Sequence, residues 1–273
     1  MRRNSRTTLI VVVALGIGAC TRAPESSAQA RAVREALHDE LSSVALKNCA
    51  FKRYGGANDG GYLLCENLLT GTQAAYSYGI GGEDNWGCQV SRELGVTVHQ
   101  YDCFTRARPT CENGRFQFHD ECVGATRETN DSREFDTIAA QVAANGDAGK
   151  RLLVKMDVEG AEWSALAATP DGLLDSIDQL AMELHGTDES RIVDVIRRLK
   201  TKFYLVNLHF NNWSCTPDTD PLPAPAYQVL WVNKRVGVLD PAGTPPDPAI
   251  PPNAPDNPKG PDCQLTAFFR RHG

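Results

Sequence analysis

At 273 residues the chain can hold one large domain or two small ones, and it is long enough to bury a core. Hydrophobic content of 41% with 23% charged residues places it among soluble globular proteins rather than disordered chains. A formal charge of −6, with no basic stripe interleaved with aromatics, excludes nucleic acid or an anionic membrane surface as the main partner.

The chain opens with a basic stretch, MRRNSR, followed by the apolar run TLIVVVALGIGA and then Cys20. That run is too short to span a bilayer comfortably, and with its basic flank it reads as an export signal over residues 1–20. Ile17-Gly18-Ala19-Cys20 resembles a bacterial lipoprotein box, which implies lipidation of Cys20 and a mature protein held in the cell envelope, facing the periplasm. A leader that instead anchors a cytosolic domain is the alternative. Cleavage removes Arg2, Arg3 and Arg6 and leaves 25 basic against 34 acidic residues, a net charge of −9.

Export changes how the cysteines are read. Beyond Cys20 there are eight, at 49, 65, 88, 103, 111, 122, 215 and 263, and no C-x-x-C occurs among them. An even number in an oxidising compartment points to disulfides rather than a zinc ribbon or a thioredoxin-type site. Of the 105 pairings that eight cysteines allow, the expected ones are Cys111 with Cys122 and Cys215 with Cys263.

After Cys20, TRAPESSAQ is a polar tether. Val33, Leu37, Leu41 and Val44 then recur at three- and four-residue spacing, which predicts an amphipathic helix from Ala28 to Leu46. FKRYGGANDGGYLLC follows as a glycine-rich turn between short apolar pieces. Strands are expected at Ala75–Tyr78, Val96–Tyr101, Arg115–His119, Leu152–Met156, Gln179–Glu183, Tyr204–Leu208 and Gln228–Val232. Helices are expected at Trp86–Leu94, Phe135–Ala144, Glu162–Ala168 and Glu189–Lys200. Strand and helix alternating at this spacing give an α/β domain, over residues 47–238, with a mostly parallel sheet. Thirteen of the sixteen prolines lie beyond residue 216, so residues 239–273 are expected to form an irregular or extended surface segment, pinned by Cys263.

The chemistry gathers at strand ends. YSYGIGGEDNWG puts Gly79 and Gly81 at a strand-to-helix turn, where a ligand can approach the backbone. The next strand, VTVHQYDCF, ends in Asp102, an acid placed to accept hydrogen bonds from both hydroxyls of a ribose. A nicotinamide fingerprint wants a third glycine at position 84, where Asp84 stands and repels a pyrophosphate. A nucleoside without phosphates, such as S-adenosylmethionine, suits this turn better. RLLVKMDVEGAEW is the fourth strand counted from the glycine turn, and it delivers Asp157 and Glu159 to the mouth of the crevice. Glu162 reads as support for the following helix N-terminus. AMELHG adds Glu183 and His185, and VNLHFNNW adds His209, Asn211 and Asn212. A histidine titrating near neutrality can act as general base towards a hydroxyl. Asp157, Glu183 and His209 also form a possible divalent-metal set, serving hydrolysis, although no G-x-S-x-G or H-E-x-x-H is present.

Taken in order, KRYGGANDGGYLL, AYSYGIGGE, VHQYDCF, LLVKMDVEGAEW, QLAMELHG and LHFNNW resemble the FkbM-type methyltransferases and related methyltransferase-like proteins, over roughly residues 48–235. The most specific parts are Asp59-Gly60-Gly61-Tyr62 and Asp157-Val158-Glu159-Gly160. The resemblance implies a Rossmann-like, class I methyltransferase sheet of seven strands, the last antiparallel, with helices on both faces. It implies S-adenosylmethionine as cofactor, with Gly79 and Gly81 lining its turn, Asp102 on its ribose and Asp157 at the methyl-transfer end. The expected reaction is O-methylation of a hydroxyl on a sugar or small metabolite, with Asp157, Glu159, His185 and His209 as catalytic candidates. Asp59, Tyr62, Glu183 and Asn211 are the expected substrate contacts, and no resident metal is expected. The alternative is an exported, non-catalytic module on the same fold that binds a glycan or other envelope ligand.

Overall fold

A computed structural model of the chain describes residues 27–247 and 252–264. The expected export signal, the Cys20 expected to be lipidated, most of the polar tether and parts of the proline-rich extension lie outside those residues. In chain order the elements are α1 (Ser27–Glu40), β1 (Phe51–Gly55), β2 (Gly61–Cys65), β3 (Ala74–Tyr78), α2 (Asn85–Leu94), β4 (Thr97–Tyr101), β5 (Arg115–His119), β6 (Cys122–Val123), β7 (Glu128–Asn130), β8 (Arg133–Asp136), α3 (Ile138–Ala144), β9 (Leu152–Met156), α4 (Glu162–Ala168), α5 (Asp171–Ser176), β10 (Ile177–His185), α6 (Ser190–Lys202), β11 (Phe203–Phe210) and β12 (Ala226–Asn233).

The seven strands expected from sequence form one sheet in the order β11-β12-β10-β9-β3-β4-β5. Every neighbour pair is parallel except those of β12, which runs antiparallel to both β10 and β11. This is a mostly parallel α/β sheet flanked by helices, compatible with a Rossmann-like fold. Its central strands are buried on both faces and so read as continuous apolar runs. Within them, period-two alternation still divides the core. Tyr76, Leu152, Val154 and Met156 face a cluster built with α1, α3, α4, α5 and α6. Ala75 and Leu153 face a second cluster, built with α2 and the β1–β2 hairpin.

Several local expectations shift. Helix α1 stops at Glu40 rather than Leu46, because the chain leaves it to meet the sheet: Val44 N donates to Leu205 O at 2.8 Å, and Leu46 bridges Leu239. Helix α3 starts at Ile138, where the Thr137 side chain caps the Ala140 amide. Phe135 belongs instead to β8, in a small sheet of order β6-β8-β7. The glycine-rich DGGY segment turns an antiparallel hairpin, β1 with β2. A register shift in β11 between Leu205 and Asn207 reverses the parity of that strand. It keeps Leu208 and Phe210 with the first core cluster while Asn207 and His209 take the opposite face.

All eight described cysteines are paired, as expected for an exported protein in an oxidising compartment. The Cys215–Cys263 bridge is as anticipated. The Cys111–Cys122 pairing is not: Cys111 joins Cys88, and Cys122 joins Cys103. The reason is topological, since Cys88 rides on α2, which packs on β5 beside Cys111, while Cys122 opens the small sheet next to the loop after β4. No described helix is long and apolar enough to cross a membrane.

Candidate functional site

From β3 the chain winds through β4 and β5 to one side, then returns with β9 on the other side of β3. The switch point therefore lies between β3 and β9, and parallel sheets bind ligands beyond the carboxyl ends of their strands at such a point. A cavity of about 740 Å³ occupies that place. It runs from Asp102 and the loop Cys103–Thr105, across the glycine turn, to Lys155, Asp157 and Glu159. The hairpin tip, Asp59 and Gly60, closes one side, and Cys122, Val123 and Phe135 of the small sheet close another.

The glycine turn is demanded by packing as well as by conformation. Gly79 has φ +71°, and a Cβ on it would lie 1.7 Å from the Asp157 carbonyl oxygen. The ends of β3 and β9 can approach only because no side chain stands there. Lys155, buried in the middle of β9, donates to the carbonyls of Tyr78 and Gly79 from below. Its ammonium also lies 3.5 Å from Asp157 Oδ2.

Asp102 is in the cavity wall, but it does not offer a free carboxylate to a ribose. Oδ2 accepts from Ile80 N and Gly81 N at 3.1 and 2.9 Å. Oδ1 accepts from Phe104 N and Thr105 N at 2.9 and 2.8 Å. A carboxylate has about four acceptor positions, so Asp102 spends all of them tying the glycine turn to the loop after β4. Asp84 accepts from Gly87 N at 2.7 Å at the start of α2 and from Gln100 Nε2 at 2.8 Å. Burial raises its carboxyl above the ordinary Asp value. The helix N-terminus that would receive a pyrophosphate already carries an acid.

At the other end, Asp157 Oδ2 accepts a hydrogen bond from Tyr62 Oη at 2.9 Å. Tyr62 is buried, and burial followed by the charge of Asp157 pushes its phenol well above the ordinary value. It supports Asp157 from behind and is not among the residues that line the cavity. Glu159 projects outward, 86% exposed, from a backbone at φ +55° that non-glycine residues seldom adopt. Glu162 does more than support a helix. Its buried carboxylate accepts from Val158 N, Gly160 N and His185 Nδ1 at 2.9, 2.9 and 3.0 Å.

His185 has acids at both ring nitrogens. Burial works against its charge, but the hydrogen bond and charge of Glu162, with Glu183 and Asp157 behind it, outweigh that and raise it to about 9. Its Nε2 lies 3.6 Å from Glu159 and 3.9 Å from Glu183. Burial, then the charge of Asp157, raises Glu183 to about 7. Glu183 accepts from Asn211 Nδ2 at 2.6 Å, and both are buried and do not line the cavity. His209 is further removed, its side chain 2% exposed. The reversed parity of β11 sends it under residues 252–264, where Nε2 lies 3.0 Å from Asp262 and Nδ1 3.7 Å from Asp256. The same segment grips Asn58, Asn207, Asn212 and Gln228, and Cys263 fastens it to Cys215. His209 is therefore not among the residues that line the cavity.

The metal set Asp157, Glu183 and His209 is not assembled. Asp157, Glu159 and His185 bring one ligand atom each within 4.8 Å of one another instead. A cation there would compete with the proton that Glu162, Glu183 and Asp157 favour on the imidazole.

Among the groups in the cavity that escaped the sequence reading are Lys155, Phe135 and the Cys103–Cys122 bridge. Lys155 had a signal, a lysine inside the apolar strand LLVKM, where charge is rare unless paired. The other two depend on where the small sheet folds. Compared with known proteins, the chain matches no family model and shows no significant similarity to any curated protein.

Proposed function

We propose that the chain is an S-adenosylmethionine-dependent methyltransferase acting on a hydroxyl of a neutral sugar or small metabolite. The observation that carries this reading is the position and charge of the cavity taken together. It sits at the switch point of the sheet, on a glycine turn, and is lined by Asp59, Glu83, Asp102, Asp157 and Glu159, with Lys155 the one cation in the lining among the described residues. Nucleotide phosphates are repelled by that charge. A nucleoside bearing a sulfonium, with one net positive charge, is attracted by it. The seven-stranded sheet with an antiparallel β12 also agrees with the methyltransferase resemblance of the sequence.

In such a reaction the acceptor oxygen attacks the methyl carbon as the carbon–sulfur bond breaks. The electron pair stays on sulfur, which becomes a thioether, and the hydroxyl proton goes to a carboxylate. Asp157 is the group assigned to it. Tyr62 and Lys155 both meet Oδ2, so Oδ1 is the oxygen left for an acceptor hydroxyl. Glu159 lies beside the same space to orient the acceptor or balance the sulfonium. The protein's share is in-line positioning and the base. Asp102 serves by keeping the wall closed.

The test is methyl transfer from labelled S-adenosylmethionine to a panel of neutral polyols and glycans by the oxidised, folded chain. Transfer that Asp157→Asn abolishes supports the reading, and no transfer to any acceptor class counts against it. The second reading, an exported binding module without catalysis, draws on the four disulfides, one of which forms part of the cavity wall. Glycan-array binding with no cofactor requirement favours it.

A further inference from the structure

Helix α4 has Ala161 at its N-cap and no side-chain cap. Glu162, the first helical residue, bonds backward to the turn that precedes the helix rather than to the helix's own free amides. Its side chain is 0% exposed. A carboxylate taken so far from water must have its oxygens satisfied, and three donors do so: Val158 N, Gly160 N and His185 Nδ1. The two amides bracket the backbone of Glu159. Fixing both inward fixes the dihedral path between them, and Glu159 is the residue left at φ +55°, at the exposed rim of the cavity. A left-handed conformation at a non-glycine residue persists where its surroundings over-determine it, and Glu162 supplies that determination.

We propose that Glu162 is the positioning residue of the site: its carboxylate sets the Asp157–Gly160 turn, and thereby Glu159 at the cavity rim, against His185 behind it. This goes beyond methyl transfer, and its first readout does not depend on that reading. Glu162 touches no ligand. It acts through the turn, and a helix-capping residue at the same position would leave residues 158–160 and the imidazole untouched.

The experiment compares wild type with Glu162→Gln by amide and imidazole NMR, amide exchange and titration with S-adenosylhomocysteine. Gln has the same shape but one acceptor oxygen, and it turns an amide N–H toward donors. The Val158 and Gly160 amide resonances and the His185 ring resonances move, and exchange at 158 and 160 quickens about tenfold or more while β9 amides keep their protection. Affinity for S-adenosylhomocysteine falls about tenfold, in line with the loss of a charge-assisted hydrogen bond. If Glu162→Gln does not fold, Glu162→Asp keeps the charge on a shorter arm and gives the same changes at smaller size. A folded variant with unmoved resonances at Val158, Gly160 and His185 overturns the proposal. So does one whose turn resonances move while its affinity equals wild type. Wild type that binds no S-adenosylhomocysteine defeats the methyltransferase reading alone, and the resonances then decide the role of Glu162.

Discussion

Replacing Gly79 and Gly81 by alanine separates the two reasons for a glycine in the turn. Both have positive φ, +71° and +58°, so each variant bears the cost of a left-handed Cβ, roughly 1–2 kcal/mol. Only at Gly79 does the new Cβ collide, 1.7 Å from the Asp157 carbonyl oxygen and 2.7 Å from its carbon, whereas nothing lies within 4 Å of the one at Gly81. Both of these atoms are backbone, so the C-terminal ends of β3 and β9 must part, an overpacking cost of roughly 1–3 kcal/mol more. Gly79→Ala is therefore expected to lose roughly 2–5 kcal/mol and Gly81→Ala roughly 1–2. Urea unfolding of the oxidised protein, with unchanged m-values, gives the difference from the midpoints. Equal midpoint shifts for the two variants refute the claim that close approach of β3 and β9 is what the turn protects.

The pH dependence follows from three groups. His185, raised to about 9, contributes stability that is complete below pH 6.5 and is lost as pH climbs through 9. Its size is on the order of 3 kcal/mol, and His185→Gln flattens that limb of a midpoint-against-pH plot. Glu183, raised to about 7, has the same sign between pH 4.5 and 7. His119 is lowered to about 4 by burial and then by His99, so its contribution stands above pH 6.5 and is lost as pH falls through 4. The paired change Cys103→Ser with Cys122→Ser costs about 3 kcal/mol for a bridge of this loop length and weakens ligand binding, because the bridge is part of the cavity wall. Cys215→Ser with Cys263→Ser loosens the segment over His209 and leaves affinity unchanged in the same titration. Tyr62→Phe removes a buried hydrogen bond, costs about 1–2 kcal/mol, and slows transfer through Asp157 without changing cofactor affinity.

The large sheet was legible because its strands are apolar runs punctuated by glycine and acid, and burial on both faces leaves that mark at any strand order. The small sheet left none: Glu128–Asn130 is exposed throughout and carries no alternation to read. The cavity end of the site was legible for the same reason as the sheet, since Gly79, Asp102 and Asp157 terminate neighbouring parallel strands. The opposite rim misled. Strand β10 runs on to His185, so Glu183 is still inside the sheet, and a register shift of one residue in β11 moves His209 to the face that the proline-rich segment covers. Neither a strand's true end nor a bulge is encoded in residue type. Cysteine spacing was equally silent on which loops share a side of the sheet, and so Cys111 was paired across it.

The central claim is that the acid-lined cavity takes a cationic nucleoside, and calorimetric titration of the oxidised chain with S-adenosylhomocysteine and S-adenosylmethionine tests it most directly. Saturable one-to-one binding is expected, stronger for the sulfonium than for the thioether, weakened by Asp102→Ala through the opened wall, and absent for ATP and NAD. Folded protein that binds neither nucleoside, or that prefers ATP, contradicts it.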